Sequence, residues 1–259
     1  MRIKILLVIC LFALPVSLFA LNNKDSYISD PALYYSVNGM SMYQKNFEAL
    51  MQNSVNSNTP GYKEIGISNV SRGAHFNNVT YYKFVEGVAI ESGGTLDFLI
   101  QGPGFFVLKC PWGDGYTRDG RFTLDRYGQL VTIGSNLPVM GEHGQITLGR
   151  GKVSVNGQGV LFLDNKQVDA FKLVSFSETK TLRSINGSIF YFYYRDDVKY
   201  TNADMISNIK QGYYESSNVS ITHQVSQLPI VKNMYDANSK AVKVILKSLS
   251  SGIQIGQTQ

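Results

Sequence analysis

The chain has 259 residues, 44% of them hydrophobic, enough to fill one large core or two modest ones, and this excludes disorder of the whole chain. Charged residues make up only 17%, and the 24 Lys and Arg are scattered among the 19 Asp and Glu rather than gathered into a basic stripe. The net charge of +5 therefore describes a mildly basic solvated surface, and no nucleic-acid partner is expected.

In chain order, the first feature is residues 1–20. Arg2 and Lys4 lead into the apolar run Ile5 to Leu14, and the segment closes on Ala20. This is the layout of a secretory signal peptide cut after Ala20, with an uncleaved anchor as the alternative, although the run is short for a membrane span. Cleavage removes two of the 24 basic residues and none of the 19 acidic ones, leaving +3, and it leaves Cys110 as the single cysteine. No internal disulfide can then form, so the exported fold rests on packing, and Cys110 reads as a small strand hydrophobe.

Ser29, Asp30 and Pro31 form a helix-start signal, a capping residue followed by proline at the first helical position. Leu33, Val37, Met40, Phe47 and Met51 then share a seven-residue rhythm that Gln44 and Ser54 interrupt. An amphipathic assembly helix is expected over 27–57, ending before Asn58, Thr59, Pro60 and Gly61. Residues 62–95 show no clear period, and 58–95 reads as an extended, partly irregular connector.

From 96 to 205 the texture becomes short apolar stretches cut by glycine, the pattern of a mainly antiparallel β-domain. Strands are expected at 96–101, 105–110, 116–118, 121–125 and 129–132, folding as a meander with a hairpin turn at Asp119 and Gly120. Further strands are expected at 152–155, 159–163, 170–176 and 190–194. Residues 206–220 return the chain to a second assembly helix over 221–252, where Leu228, Val231, Tyr235, Asn238, Val242, Ile245 and Leu249 alternate spacings of three and four. Pro229 predicts a kink or a fresh helix start.

The fold class expected is α+β, with the two terminal amphipathic helices pairing as a coiled-coil-like layer around a central β-domain. Two helices at the ends of the chain, separated by an all-β insert, can bury neither apolar stripe in it, so they pair with each other, with neighbours, or with both. An isolated pair is marginal, which points to stacking in an assembly.

Reactive chemistry is not legible. His75, His143 and His223 stand alone, with no carboxylate or cysteine at metal-ligand spacing. Gly102, Pro103 and Gly104 lack the Lys and Ser/Thr of a phosphate loop, and no serine sits in a nucleophile elbow. No catalytic group, cofactor, metal or small-molecule substrate is expected, so the chain reads as a structural protein rather than an enzyme. The rival reading is a secreted binding module that presents the aromatic run Phe190 to Tyr194 to a ligand.

Three segments carry a family resemblance. Asn53, Asn56, Asn58, Thr59, Pro60 and Gly61, running on to Tyr62 and Lys63, resemble the N-terminal signature of the flagellar rod, hook and hook-associated axial proteins. Gly102, Gly104, Phe105 and Phe106, followed by Tyr116, Thr117, Arg118 and Gly120, are similar to the family's central β-domain motif. Gly212, Glu215, Ser217, Asn218 and Val219, then Tyr235 to Ala241, are similar to its C-terminal signature. The match is strongest to the distal-rod members, with the proximal-rod members next.

The resemblance implies a subunit of the basal-body rod, a tubular drive shaft that transmits torque to the hook. Its terminal helices would form the inner layer, on Leu33, Val37, Met40, Phe47 and Met51 of one helix and Leu228, Val231, Tyr235, Val242, Ile245 and Leu249 of the other. The implied partners are copies of itself and other rod and hook proteins, with the surrounding rings as a further contact. Family members lack a cleaved signal peptide and an interrupted C-terminal helix. Residues 1–20 and Pro229 are therefore departures, and the first points to a periplasmic location reached by general secretion.

Overall fold

A computed structural model describes residues 31–72, 75–176, 179, 182–193, 200–202 and 207–256. The signal-like segment, the Ser29 and Asp30 cap and Tyr194 lie outside the described residues. Among the described residues there are two α-helices, α1 (Pro31–Val55) and α2 (Ile221–Gly256), and the fold is α+β with a mainly antiparallel β-domain between them. No described helix is long and apolar enough to cross a membrane.

The described residues divide into two compact units, one with residues 31–39 and 238–256 and the other within residues 40–237. In the smaller unit the two helices meet where α1 has no side chain. A Cβ placed on Gly39 would stand 2.9 Å from Asn238 Oδ1.

In the larger unit α1 stops at Val55, where the backbone turns through Asn56 to Gly61. The Asn56 side chain donates through Nδ2 to the Gln52 carbonyl at 2.8 Å, and Gly61 adopts the left-handed conformation at φ 67° that favours glycine. The β-domain is built around a six-stranded antiparallel sheet. Its order is Leu182–Ser184, Ile189–Phe192, Gly113–Thr117, Phe105–Cys110, Leu173–Phe176 and Tyr200–Asn202.

Strand Phe105–Cys110 explains its own composition. Phe106, Leu108 and Cys110 point into one apolar cluster with Phe98, Phe122, Leu130 and Phe171, while Phe105 and Val107 point into another with Tyr116, Phe176 and Phe190. A strand covered on both faces needs a continuous apolar run rather than alternation. Aromatic edges lock both clusters, with Phe98 and Phe171 ring centres 5.0 Å apart on one side and Tyr116 and Phe176 4.8 Å apart on the other.

Several expectations are corrected. The segment expected to be an irregular connector contains a β-hairpin, Ile65–Arg72 against His75–Tyr82, in which alternation at Ile65 and Ile67 is diluted by Ser and Asn farther along. Strand Phe98–Gln101 does not join a meander; it pairs with Asn208–Gln211 from the far end of the domain. Asp119 and Gly120 form no hairpin turn. They carry the chain from the six-stranded sheet to a separate pair, Phe122–Leu124 with Leu130–Thr132. Helix α2 runs unbroken through Pro229, so no fresh helix starts there. Proline removes the donor for the Val225 carbonyl, and Val225 is exposed, so water can serve that carbonyl instead.

Candidate functional site

The three motif segments, far apart in sequence, converge in the larger unit on one buried carboxylate. Glu215 ends strand Tyr213–Glu215 and is 1% exposed. Its Oε1 pairs with Lys63 Nζ and accepts from the Gly87 amide at 2.8 Å, while its Oε2 accepts from Arg118 Nε at 2.7 Å. Lys63 completes its coordination by donating to the Val85 carbonyl at 2.8 Å.

Arg118 spends its remaining donors on a backbone cradle. Nη1 donates to the carbonyls of Gly102, at 2.6 Å, and Gly104, and Nη2 reaches the Ile100 carbonyl at 3.3 Å. The Gly102, Pro103, Gly104 loop thus folds around a guanidinium. Gly102 takes φ 111°, which suits glycine. Thr117 anchors the adjacent strand by donating to the Ser188 carbonyl at 2.8 Å. Gly120 lets two backbones touch, since any Cβ there would collide with the Phe98 carbonyl.

Two cations and one carboxylate are thus removed from water together. Burial draws the Lys63 ammonium below its ordinary range, and the Glu215 carboxylate pushes the other way. Such a cluster holds only while every member is present, because loss of one leaves a buried charge unpaired.

A second network fixes the junction of the helices. Asn53, 1% exposed in the last turns of α1, donates to the Ile65 carbonyl at 2.9 Å and to Gln224 Oε1 on α2 at 3.1 Å. Its Oδ1 accepts from the Ile65 amide at 2.9 Å and the Tyr62 hydroxyl at 3.1 Å. Burial drives the Tyr62 phenol above its ordinary range. Asn218 serves the far side, accepting from the Glu64 amide at 2.7 Å and donating to the carbonyls of Lys83 and Val85 at 2.7 and 3.0 Å. Ser217 accepts from the Val219 amide at 3.2 Å, and Val219 packs on the cluster of Ala49, Tyr62 and Ile65. Gly212, at φ 77°, donates to the Asp97 carbonyl at 2.8 Å. Thr59 donates to Asn56 Oδ1 at 3.0 Å and Pro60 is buried, whereas Asn58 is exposed.

The helix stripes lie elsewhere. On α1 the buried residues are Ala49 and Asn53. Phe47 and Met51 each stand two residues from Ala49, about 160° around the helix, and face away from it. Leu33, Met40 and Phe47 are half-buried, and Val37 and Met51 are exposed. On α2 Leu228, Val231, Tyr235, Val242 and Ile245 are half-buried and Leu249 is exposed. Along the β-domain, Phe190 is buried inside the sheet, so that part of the aromatic run is core.

His143 is not isolated as its sequence neighbourhood suggests. Its Nδ1 stands 2.9 Å from Asp169 Oδ1, a partner 26 residues away. Among the described residues no group of three or more His, Cys, Asp or Glu could hold a metal ion.

Comparison with known proteins matches two of the three motif-bearing segments. Residues 99–163 match the flagellar hook protein FlgE/F/G D1 domain, and residues 210–255 match the flagellar basal body rod FlgEFG protein C-terminal domain. In these two segments the chain is similar to the flagellar hook and basal-body rod proteins. Similar proteins include the flagellar basal-body rod protein FlgF of Rhizobium meliloti, 27% identical with 86% of this chain and 96% of the relative covered. FlgF of Caulobacter vibrioides is also 27% identical, over 82% of this chain and 91% of the relative. FlgG of Buchnera aphidicola is 27% identical over 82% of this chain and 94% of the relative. Both rod paralogues are thus similar to this chain along nearly their whole length, and both are basal-body rod proteins by name.

Proposed function

We propose that this rod-family chain is a self-assembling subunit whose terminal helices build a tubular shaft that transmits torque to the hook. The observation that carries the reading is the placement of apolar side chains. Val37, Met51 and Leu249 are exposed on the stripes of helices that sit at both ends of the chain, where a globular protein would bury them. The Glu215 cluster supports it, because a shaft element must hold the helix roots rigidly to the β-domain.

The seam residues proposed for assembly are Leu33, Val37, Met40, Phe47 and Met51 on α1, and Leu228, Val231, Tyr235, Val242, Ile245 and Leu249 on α2. The partners are copies of the same chain and other rod and hook proteins, with the surrounding rings in contact farther out. Export to the periplasm by way of residues 1–20 belongs to the same reading.

The test is incorporation of a variant carrying Val242→Asp and Ile245→Asp. Two carboxylates in an apolar seam abolish recovery in purified basal bodies, while the β-domain keeps its denaturation midpoint. A variant that still incorporates at the wild-type level contradicts the reading.

A further inference from the structure

Two short segments of the β-domain gather cations that the rest of the chain scatters. Residues 124–128 carry Arg126 between Asp125 and Tyr127, and residues 148–153 carry Arg150 and Lys152 with a glycine before each. The backbone brings the segments together, since the Leu148 amide donates to the Gly128 carbonyl at 2.8 Å. With Thr95 and Leu96 they line a cleft of about 760 Å³.

The apolar lining of this cleft is aliphatic. Leu148 is buried, and Leu96, Leu124 and Val153 are half-buried where they pack on the large apolar cluster of the domain. The remaining lining is basic. Arg126, Arg150 and Lys152 are exposed, and none of them forms an ion pair among the described residues. The one acidic residue of the lining is Asp125, whose Oδ1 is taken by the amides of Tyr127 and Gln129, both at 2.8 Å. Three cations against one carboxylate leave the cleft at +2. Backbone bonds fix this arrangement: the Lys152 amide donates to Asp164 Oδ1 at 2.9 Å, and the Asp164 amide returns a bond to the Lys152 carbonyl at 3.0 Å. A concave surface with charge of one sign focuses its field on whatever enters, and an apolar floor adds affinity for a ligand that is apolar as well as anionic.

We propose that this cleft binds an acidic peptide segment of another protein, one in which aliphatic side chains stand beside carboxylates. The aliphatic side chains seat on Leu96, Leu124, Leu148 and Val153, and the carboxylates accept from Arg126, Arg150 and Lys152. The lining decides the class of ligand. A saccharide stacks on a bare aromatic face, and the one ring in the lining, Tyr127, has the Arg126 guanidinium over it, 4.7 Å from the ring centre. Aliphatic walls edged by cations instead match leucine and glutamate side chains. The site lies wholly within residues 95–153, apart from both helices, so it stands independently of the self-assembly reading.

The test is fluorescence anisotropy of the full-length chain with a labelled peptide that alternates leucine and glutamate. One variant combines Arg126→Gln, Arg150→Gln and Lys152→Gln; all three side chains are exposed, so its denaturation midpoint should stay at the wild-type value. A comparison variant combines Lys240→Gln, Lys243→Gln and Lys247→Gln on α2 and removes the same charge elsewhere. The expected result is binding by the wild type that weakens about tenfold or more in the cleft variant, as charged contacts are lost, and that is unchanged in the α2 variant. Rising ionic strength should weaken it too, and a peptide with glutamine in place of glutamate should not bind. No binding by the wild type, equal binding by the cleft variant, or equal binding of the glutamine peptide overturns the proposal. Displacement of the peptide by polygalacturonate at a lower carboxylate concentration overturns the peptide assignment in favour of an acidic saccharide.

Discussion

At the residue scale the account turns on Glu215. Lys63 and Arg118 are 1% and 4% exposed and have this carboxylate as their common partner, so Glu215→Ala leaves two cations buried. Removing one member of a buried ion pair costs about 3–5 kcal/mol, and urea denaturation of the full chain should show a loss of that size. Replacing Lys63, Arg118 and Glu215 together by apolar residues should recover most of it. Cys110 offers a second test. Burial, with Asp114 adding to it, pushes its thiol up to about 11. The folded chain should therefore resist alkylation at pH 8 and react once unfolded. A folded-state value raised above the unfolded one contributes stability that is lost as pH rises through it, so this contribution fades from about pH 9 to about pH 11. Gly61 is the third site. At φ 67° with the Asp119 amide against its α-carbon, Gly61→Ala should destabilise by more than about 1 kcal/mol in the same denaturation experiment.

At the scale of elements, what the sequence shows depends on how local the cause is. The heptad spacing marks α2 because every determinant lies within one helix, and the Gly113 turn marks the hairpin of Phe105–Cys110 and Gly113–Thr117 for the same reason. The pairing of Phe98–Gln101 with Asn208–Gln211 has no local signal, since register across such a separation is set only by the folded core. The Ile65–Tyr82 hairpin hides behind Asn and Ser, poor strand formers that two-strand pairing tolerates. Periodicity also leaves open which side of one helix meets the other. Small and polar residues, Gly39 and Asn53, mark the side on which α1 meets α2, and a search for apolar repeats passes over them. Pro229 gives a prediction here. Pro229→Ala restores a donor for the Val225 carbonyl and should stabilise α2 by up to about 3 kcal/mol, read as a rise in the midpoint of the helical circular-dichroism transition.

At the scale of the whole molecule, the buried cluster joins segments from three distant parts of the chain. Lys63, Arg118 and Glu215 are 152 and 97 residues apart in their pairings, so their meeting is invisible in the sequence. The only hint is that charged residues persist inside otherwise apolar motifs of a chain poor in charge. Once met, they join the segment after α1 and the strand before α2 to the rest of the β-domain. The measurement that tests this most directly is mass spectrometry of purified basal bodies and of the periplasmic fraction from the same cells, reading the chain's N-terminus in each. The account predicts the chain in basal bodies, beginning at Leu21. Recovery only as a free periplasmic protein, with none in the basal bodies, would contradict it.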